Sequence, residues 1–137
     1  MQSEMQVVIF SLGKEKFALE TRFIDGIEKM LSITRVPTAP YYIRGLANLR
    51  GNIISIIDLK AYLSMEKTKD EDNIIILEAG EERIGLMVDE VNEVVEITDD
   101  MIEKVSDNTG YTKGVVNFDN YIVTLLEGEE LASRWEG

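Results

Sequence analysis

Apolar residues along this 137-residue chain fall into short alternating or continuous blocks of strand length, separated by glycines and polar turns. Val7-Val8-Ile9-Phe10 runs on through Leu12-Gly13-Lys14-Glu15-Lys16 to Phe17, which predicts a hairpin with a short glycine-containing connection. Phe17 and Leu19 alternate with Ala18 and Glu20, predicting one buried and one wetter face. Residues 21–29 and 88–95 each read as a turn followed by a strand. Residues 53–59 and 73–77 are near-continuous apolar runs, the pattern of strands covered on both sides. Val36-Pro37-Thr38-Ala39-Pro40 is a surface connection, since two prolines withhold ladder donors. Short helices are expected over residues 60–65, 98–104 and 129–135, the last with Leu131 and Trp135 on one face. Residues 66–72 and 106–112 are expected as polar loops, the first of them mobile and exposed.

These blocks occur twice. Gly45-Leu46-Ala47-Asn48-Leu49 is echoed by Gly114-Val115-Val116-Asn117-Phe118, an offset of 69 (114 − 45), and the following apolar runs keep the register. Upstream, Gly13 and Gly80 lie 67 apart (80 − 13), and Phe17, Leu19 and Ile24 match Ile84, Leu86 and Val91. The repeat units span about residues 7–65 and 74–131. Each is marginal as an independent core, so a single domain over residues 1–137 is expected. The fold class is all-β with a few short helices, in a barrel or sandwich arrangement. What recurs is turn glycines and β-core residues, with no repeated reactive group.

Composition sharpens this. The chain has no cysteine and no histidine. Disulfides, thiolate metal sites and a cysteine nucleophile are therefore excluded, and so are the commonest general base and metal ligand. The serines have no histidine to activate them, and neighbouring acids such as Asp89 and Glu90 on a strand point to opposite faces. No catalytic residue, metal or cofactor is expected. The net charge is −12, and residues 66–107 carry 15 acids against 4 bases, whereas residues 29–57 carry only Lys29, Arg35, Arg44 and Arg50. Such an acidic chain is a poor nucleic-acid ligand. The acid-free stretch either meets an acidic partner or balances the acidic region internally. With no long apolar span and no leader-like N-terminus, a soluble cytoplasmic protein is expected.

The stretch Val36-Pro37-Thr38-Ala39-Pro40-Tyr41-Tyr42-Ile43-Arg44-Gly45-Leu46-Ala47-Asn48-Leu49-Arg50-Gly51-Asn52-Ile53-Ile54-Ser55-Ile56-Ile57-Asp58-Leu59 resembles the central signature of the CheW-like domain. Phe10-Ser11-Leu12-Gly13, Ile84-Gly85-Leu86-Met87-Val88-Asp89-Glu90-Val91 and Gly114-Val115-Val116-Asn117 extend the resemblance over almost the whole chain. Ser55 departs from the proline that many members carry. The resemblance implies two intertwined five-stranded β-barrel subdomains, SH3- or OB-like, and no enzymatic activity. It also implies an adaptor that binds the regulatory domain of the histidine kinase CheA and the cytoplasmic tip of chemoreceptors, recruited from the cytoplasm to membrane-bound arrays. The alternative is a scaffold module of another chemosensory pathway. Because the chain stops two residues after Trp135, a stand-alone coupling protein is the expectation.

Arg50 is the foremost candidate for partner binding, since a guanidinium beside the turn glycine Gly51 can offer several donors. The competing reading has Arg50 bridge internally to Asp58 or Asp25. The second copy bears Asp119 in its place. Ile24, Asp25 and Gly26 match the family's second receptor-contact region, with Ile24 and Ile27 otherwise read as core. Arg44, in the same signature, joins the partner-contact set. Asn48, Asn117 and Asp58 are expected to make turn and backbone hydrogen bonds.

Overall fold

Two hairpins of the same design set the frame. Strand β1 (Glu4–Leu12) returns through Gly13-Lys14 as β2 (Glu15–Glu20), while β6 (Asn73–Ala79) returns through Gly80-Glu81 as β7 (Glu82–Val88). A 3-10 turn at Thr21–Phe23 leads into β3 (Ile24–Lys29), and Asp89 alone links β7 to β8 (Glu90–Thr98). Strands β4 (Ile43–Leu49) and β5 (Asn52–Asp58) form a further hairpin, repeated by β10 (Thr112–Phe118) and β11 (Tyr121–Leu126). Helix α1 (Leu59–Tyr62) follows β5, α2 (Gly128–Ser133) follows β11, and β9 (Ile102–Glu103) is a two-residue strand. These elements come from a computed structural model that describes residues 3–29, 31–67, 71, 73–106 and 109–133.

The strands form a six-stranded sheet, β8-β1-β2-β11-β10-β9, and a five-stranded sheet, β3-β6-β7-β5-β4. Each repeat therefore gives a strand to the other: β3 leaves β1 and β2 to pair with β6, and β8 leaves β6 and β7 to pair with β1. The two orders superpose element by element. Even the sixth strand has a counterpart, because Thr34 bridges Leu46 through hydrogen bonds of 2.7 and 2.8 Å where Glu103 pairs with Val115. The offset is again 69 (103 − 34 and 115 − 46). Both sheets roll up. β8 and β9 lie at opposite ends of their sheet, yet Thr98 and Ile102 are only four residues apart, a reach of at most ~14 Å. In the other sheet Arg50, at the tip of the β4–β5 hairpin, meets Glu28 on the opposite edge strand at 3.2 Å.

Burial follows from this exchange. Val7, Ile9, Ala18, Val116 and Val123 fill the six-stranded barrel, and Ala47, Leu49, Ile54, Ile74 and Ile76 the five-stranded one. A third cluster draws Phe10, Leu12, Phe17 and Leu19 from one sheet and Ile57, Ile75, Leu77 and Leu86 from the other. Alternate residues of one strand thus serve two cores, which is why 74–77 is apolar throughout. The same fact corrects the expectation for β2, where Ala18 and Glu20 are as buried as Phe17 and Leu19. The six-stranded sheet likewise exceeds the expected five strands by β9. That strand occupies residues expected to be helical, of which only Asp99–Met101 form a 3-10 turn. Residue Glu71, in the loop expected to be exposed, is buried, and the expected Leu131–Trp135 pair cannot be placed because Trp135 lies outside the described residues. Leu131 itself is fully buried on the shared core.

At the seam, the ammonium of Lys60 lies 2.6 Å from Asp89 Oδ1, with both side chains 1% exposed. Asp89 Oδ2 accepts from the Gly13 amide at 2.6 Å, and the Asp89 amide donates to the Ser11 carbonyl at 3.1 Å. One carboxylate therefore ties α1, the β1–β2 turn and the crossing between sheets.

Gly45 and Gly114 sit at matching bulges, where the register of each hairpin slips by one. A Cβ on Gly45 would lie 2.2 Å from the Thr34 carbonyl oxygen, and one on Gly114 would lie 2.6 Å from that of Glu103. Backbone cannot move aside cheaply, so Gly45→Ala and Gly114→Ala should each cost about 2–3 kcal/mol. Gly51→Ala, which meets nothing within 4 Å and suffers only from φ +87, should cost about 1 kcal/mol. Urea denaturation of the three variants checks that order.

Candidate docking surfaces

The β4–β5 hairpin carries the foremost candidate. Leu49 pairs with Asn52, leaving Arg50 and Gly51 as a two-residue loop with φ of 52 and 87. Two left-handed residues in succession match the right-handed twist of the flanking strands. Asn48 Oδ1 accepts from the Gly51 amide at 2.9 Å, the turn bond expected of it. The backbone so fixed projects Arg50 into solvent. Its Nη2 reaches Glu28 Oε2, and the side chains are 67% and 27% exposed. The internal partner is thus Glu28, whereas the sequence pointed to Asp58 or Asp25. An ion pair this wet contributes little, and most of the guanidinium's donors stay open to a partner. Gly26 belongs to the same neighbourhood, since a Cβ there would lie 3.7 Å from Glu28 Oε2.

The other candidates lie apart from that tip. Asp25 occupies a bulge in β3, where pairing steps from Ile24↔Leu77 to Gly26↔Ile76. Its carboxylate is 3.6 Å from Arg83, whose stronger bond of 2.6 Å goes to Glu78. Ile24 packs half-buried on the shared core. Arg44, at the far end of the hairpin, reaches Asp58 Oδ2 at 3.3 Å, while Asp58 Oδ1 accepts from the Ala61 amide and caps α1.

Two apolar residues expected inside are exposed. Ile27 is 42% exposed and Ile53 63%, although the first was expected as core and the second in a doubly covered strand. Val94 and Ile122 are 52% and 60% exposed. These four are two pairs of equivalents: Ile27 opposes Ile75 as Val94 opposes Val8, and Ile53 opposes Asn48 as Ile122 opposes Asn117. The offsets of 67 (94 − 27) and 69 (122 − 53) were the available signal. Each barrel thus offers solvent the same apolar positions. Around them the charge differs, because the turn beside Ile53 carries Arg50 and the turn beside Ile122 carries Asp119, also left-handed at φ 41.

Within the six-stranded barrel, Glu20 at the end of β2 is buried and accepts hydrogen bonds from Lys113 of β10 at 2.8 Å and from Arg22. Burial alone would push this carboxyl up, but the bonds from Lys113 and then Arg22 outweigh it and hold the group below its ordinary value. A depressed folded-state pKa stabilises above the unfolded pKa, and that stabilisation is lost as pH falls through the folded value. Glu20→Gln should therefore be less stable than the parent at neutral pH, with the gap closing as the pH is lowered below the ordinary carboxylate range. Urea midpoints at neutral pH and below that range check this.

The family model of the CheW-like domain matches residues 6–136 of the chain. A chemotaxis protein CheW of Helicobacter pylori is 31% identical, over 95% of this chain and 82% of that one. A probable chemotaxis protein CheW of Rhizobium etli is 28% identical, over 98% and 92%. The crystal structure of the scaffolding protein TtCheW from Thermoanaerobacter tengcongensis superposes with a TM-score of 0.83 at 33% identity, covering 90% of this chain and 89% of that one. Among the described residues no helix is long and apolar enough to cross a membrane. Exchanged strands, doubled bulges and the Asn48-Leu49-Arg50-Gly51 tip all agree with that match, and the chain belongs to the CheW-like domain family.

Proposed function

We propose that this protein is a chemotaxis coupling protein, an adaptor that links the cytoplasmic tips of chemoreceptors to the histidine kinase CheA by binding both. It acts as a scaffold and transforms nothing. The observation that carries the reading is the duplicated exposure of Ile27 with Ile53 and of Val94 with Ile122. A duplication kept only for its core has no reason to keep apolar side chains in water at equivalent places on both copies. Apolar anchors of this kind, rimmed by polar residues, are the anatomy of modest protein interfaces.

The partner contacts fall on the hairpin tip with Arg50 and Gly51, on the Ile24-Asp25-Gly26 edge, and on Arg44. Divergence of the tips, Arg50 against Asp119, lets two similar ends select different partners. Holding kinase and receptor on one rigid body raises their effective concentration and lets receptor state bias the kinase. The protein works in the cytoplasm at membrane-bound receptor arrays.

Titration of labelled protein with the CheA regulatory domain, and separately with a receptor-tip fragment, tests the reading. Arg50→Ala should weaken binding of one of them by about 1–3 kcal/mol and leave the urea midpoint unchanged. Lost stability with retained affinity would instead make Arg50 a structural bridge to Glu28. In the same titrations Ile53→Asp and Ile122→Asp should each abolish a different contact. If both variants bind like the parent, the apolar anchors are not docking positions.

A further inference from the structure

One surface shares only Arg44 with the contacts just assigned. Ile33, Arg35, Tyr41, Ile43 and Arg44 line a groove of about 460 Å³ beside the β4 edge. Its floor is the half-buried pair Ile33 and Ile43, on either side of the Gly45 bulge that forbids any side chain there. One wall is Tyr41, 76% exposed, yet its ring is braced: it meets Tyr42 edge-on at 5.3 Å, and Tyr42 meets Tyr62 edge-on at 5.1 Å. The other wall is cationic. Arg35 is exposed and has no carboxylate partner among the described residues. Arg44 is 39% exposed in its side chain and spends one nitrogen on Asp58 at 3.3 Å, leaving further donors toward the groove it lines.

The electrostatic setting makes this unusual for the molecule. The chain carries a net −12, yet residues 29–57 contain no acid, and the groove is built from within that stretch. Two guanidiniums and a held aromatic ring over an aliphatic floor form a complement to a particular chemistry. We infer that the groove docks an acidic peptide segment, with its carboxylates on Arg35 and Arg44 and a neighbouring apolar side chain packed between Tyr41 and the two isoleucines. Arginine forks fit carboxylates in two-point geometry, and a tyrosine ring supplies apolar area at low entropic cost. The volume of the groove, about 460 Å³, and its apolar floor favour a peptide over a free carboxylate. This assignment does not depend on the identity of the kinase or the receptor.

Fluorescence anisotropy of the full chain with a labelled set of glutamate-rich peptides, carrying leucine, phenylalanine or tyrosine at each position in turn, tests it. Saturable binding that weakens as salt is raised is expected, and lysine-rich versions should not bind. Arg35→Glu and Tyr41→Ala should each weaken the best peptide by about tenfold or more, with urea midpoints unchanged because both side chains are exposed. Lys14→Glu, which alters net charge by the same amount on the exposed β1–β2 turn, should leave binding as it is. Three results would overturn the assignment: no saturable binding by any of the peptides, equal loss in Arg35→Glu and Lys14→Glu, or competition by free glutamate as effective as by the peptide.

Discussion

Asp89 is the one residue between β7 in the five-stranded sheet and β8 in the six-stranded sheet, and its carboxylate is wholly enclosed. Desolvating an unpaired carboxylate there would cost several kcal/mol. Lys60 and the Gly13 amide remove that cost together, and only when α1, the β1–β2 turn and the crossing occupy one arrangement. A hydrophobic pair in the same place would be no less stable but would tolerate sliding. The ionic pair ties α1 and the β1–β2 turn to the crossing between the sheets, and so relates the surfaces of one barrel to those of the other.

The first copy's crossing is managed differently. Between β2 and β3 the chain passes through a 3-10 turn, and the nearby buried carboxylate, Glu20 at the end of β2, is served by Lys113 of its own sheet and by Arg22 of the turn. The two crossings thus carry different side chains, Arg22 standing where the second copy has Asp89, while the bulge glycines Gly45 and Gly114 and the exposed apolar pairs are kept alike. Backbone close approach admits one solution, whereas charge neutralisation admits several. That distinction separates what the duplication preserves from what it lets drift, and Arg50 against Asp119 is drift of the second kind.

Much of this was legible along the chain wherever the cause was local. The hairpin at Gly13, the left-handed tip at Arg50-Gly51 and the doubly covered run 74–77 follow from turn chemistry and from apolar continuity. The strand β9 and the bridge at Thr34 were missed because a strand of one or two residues leaves no periodicity to read. Ala18 and Glu20 were assigned to a wet face because alternation cannot reveal a second core built from the other repeat. Glu20 finds Lys113 93 residues away and Arg50 finds Glu28 22 residues away, so neither pairing follows from spacing. Ile53 and Ile122 show the converse limit: an isoleucine reads as interior, and only its place at a barrel end exposes it.

If the two barrels form one rigid scaffold with separate docking surfaces, the kinase domain and the receptor tip must be able to occupy it together. Sedimentation velocity on an equimolar mixture of this protein, the CheA regulatory domain and a receptor-tip fragment measures that directly. The account predicts a boundary faster than that of any binary mixture, containing all three components in equal proportion. Binary complexes alone, with one partner displacing the other, would contradict it.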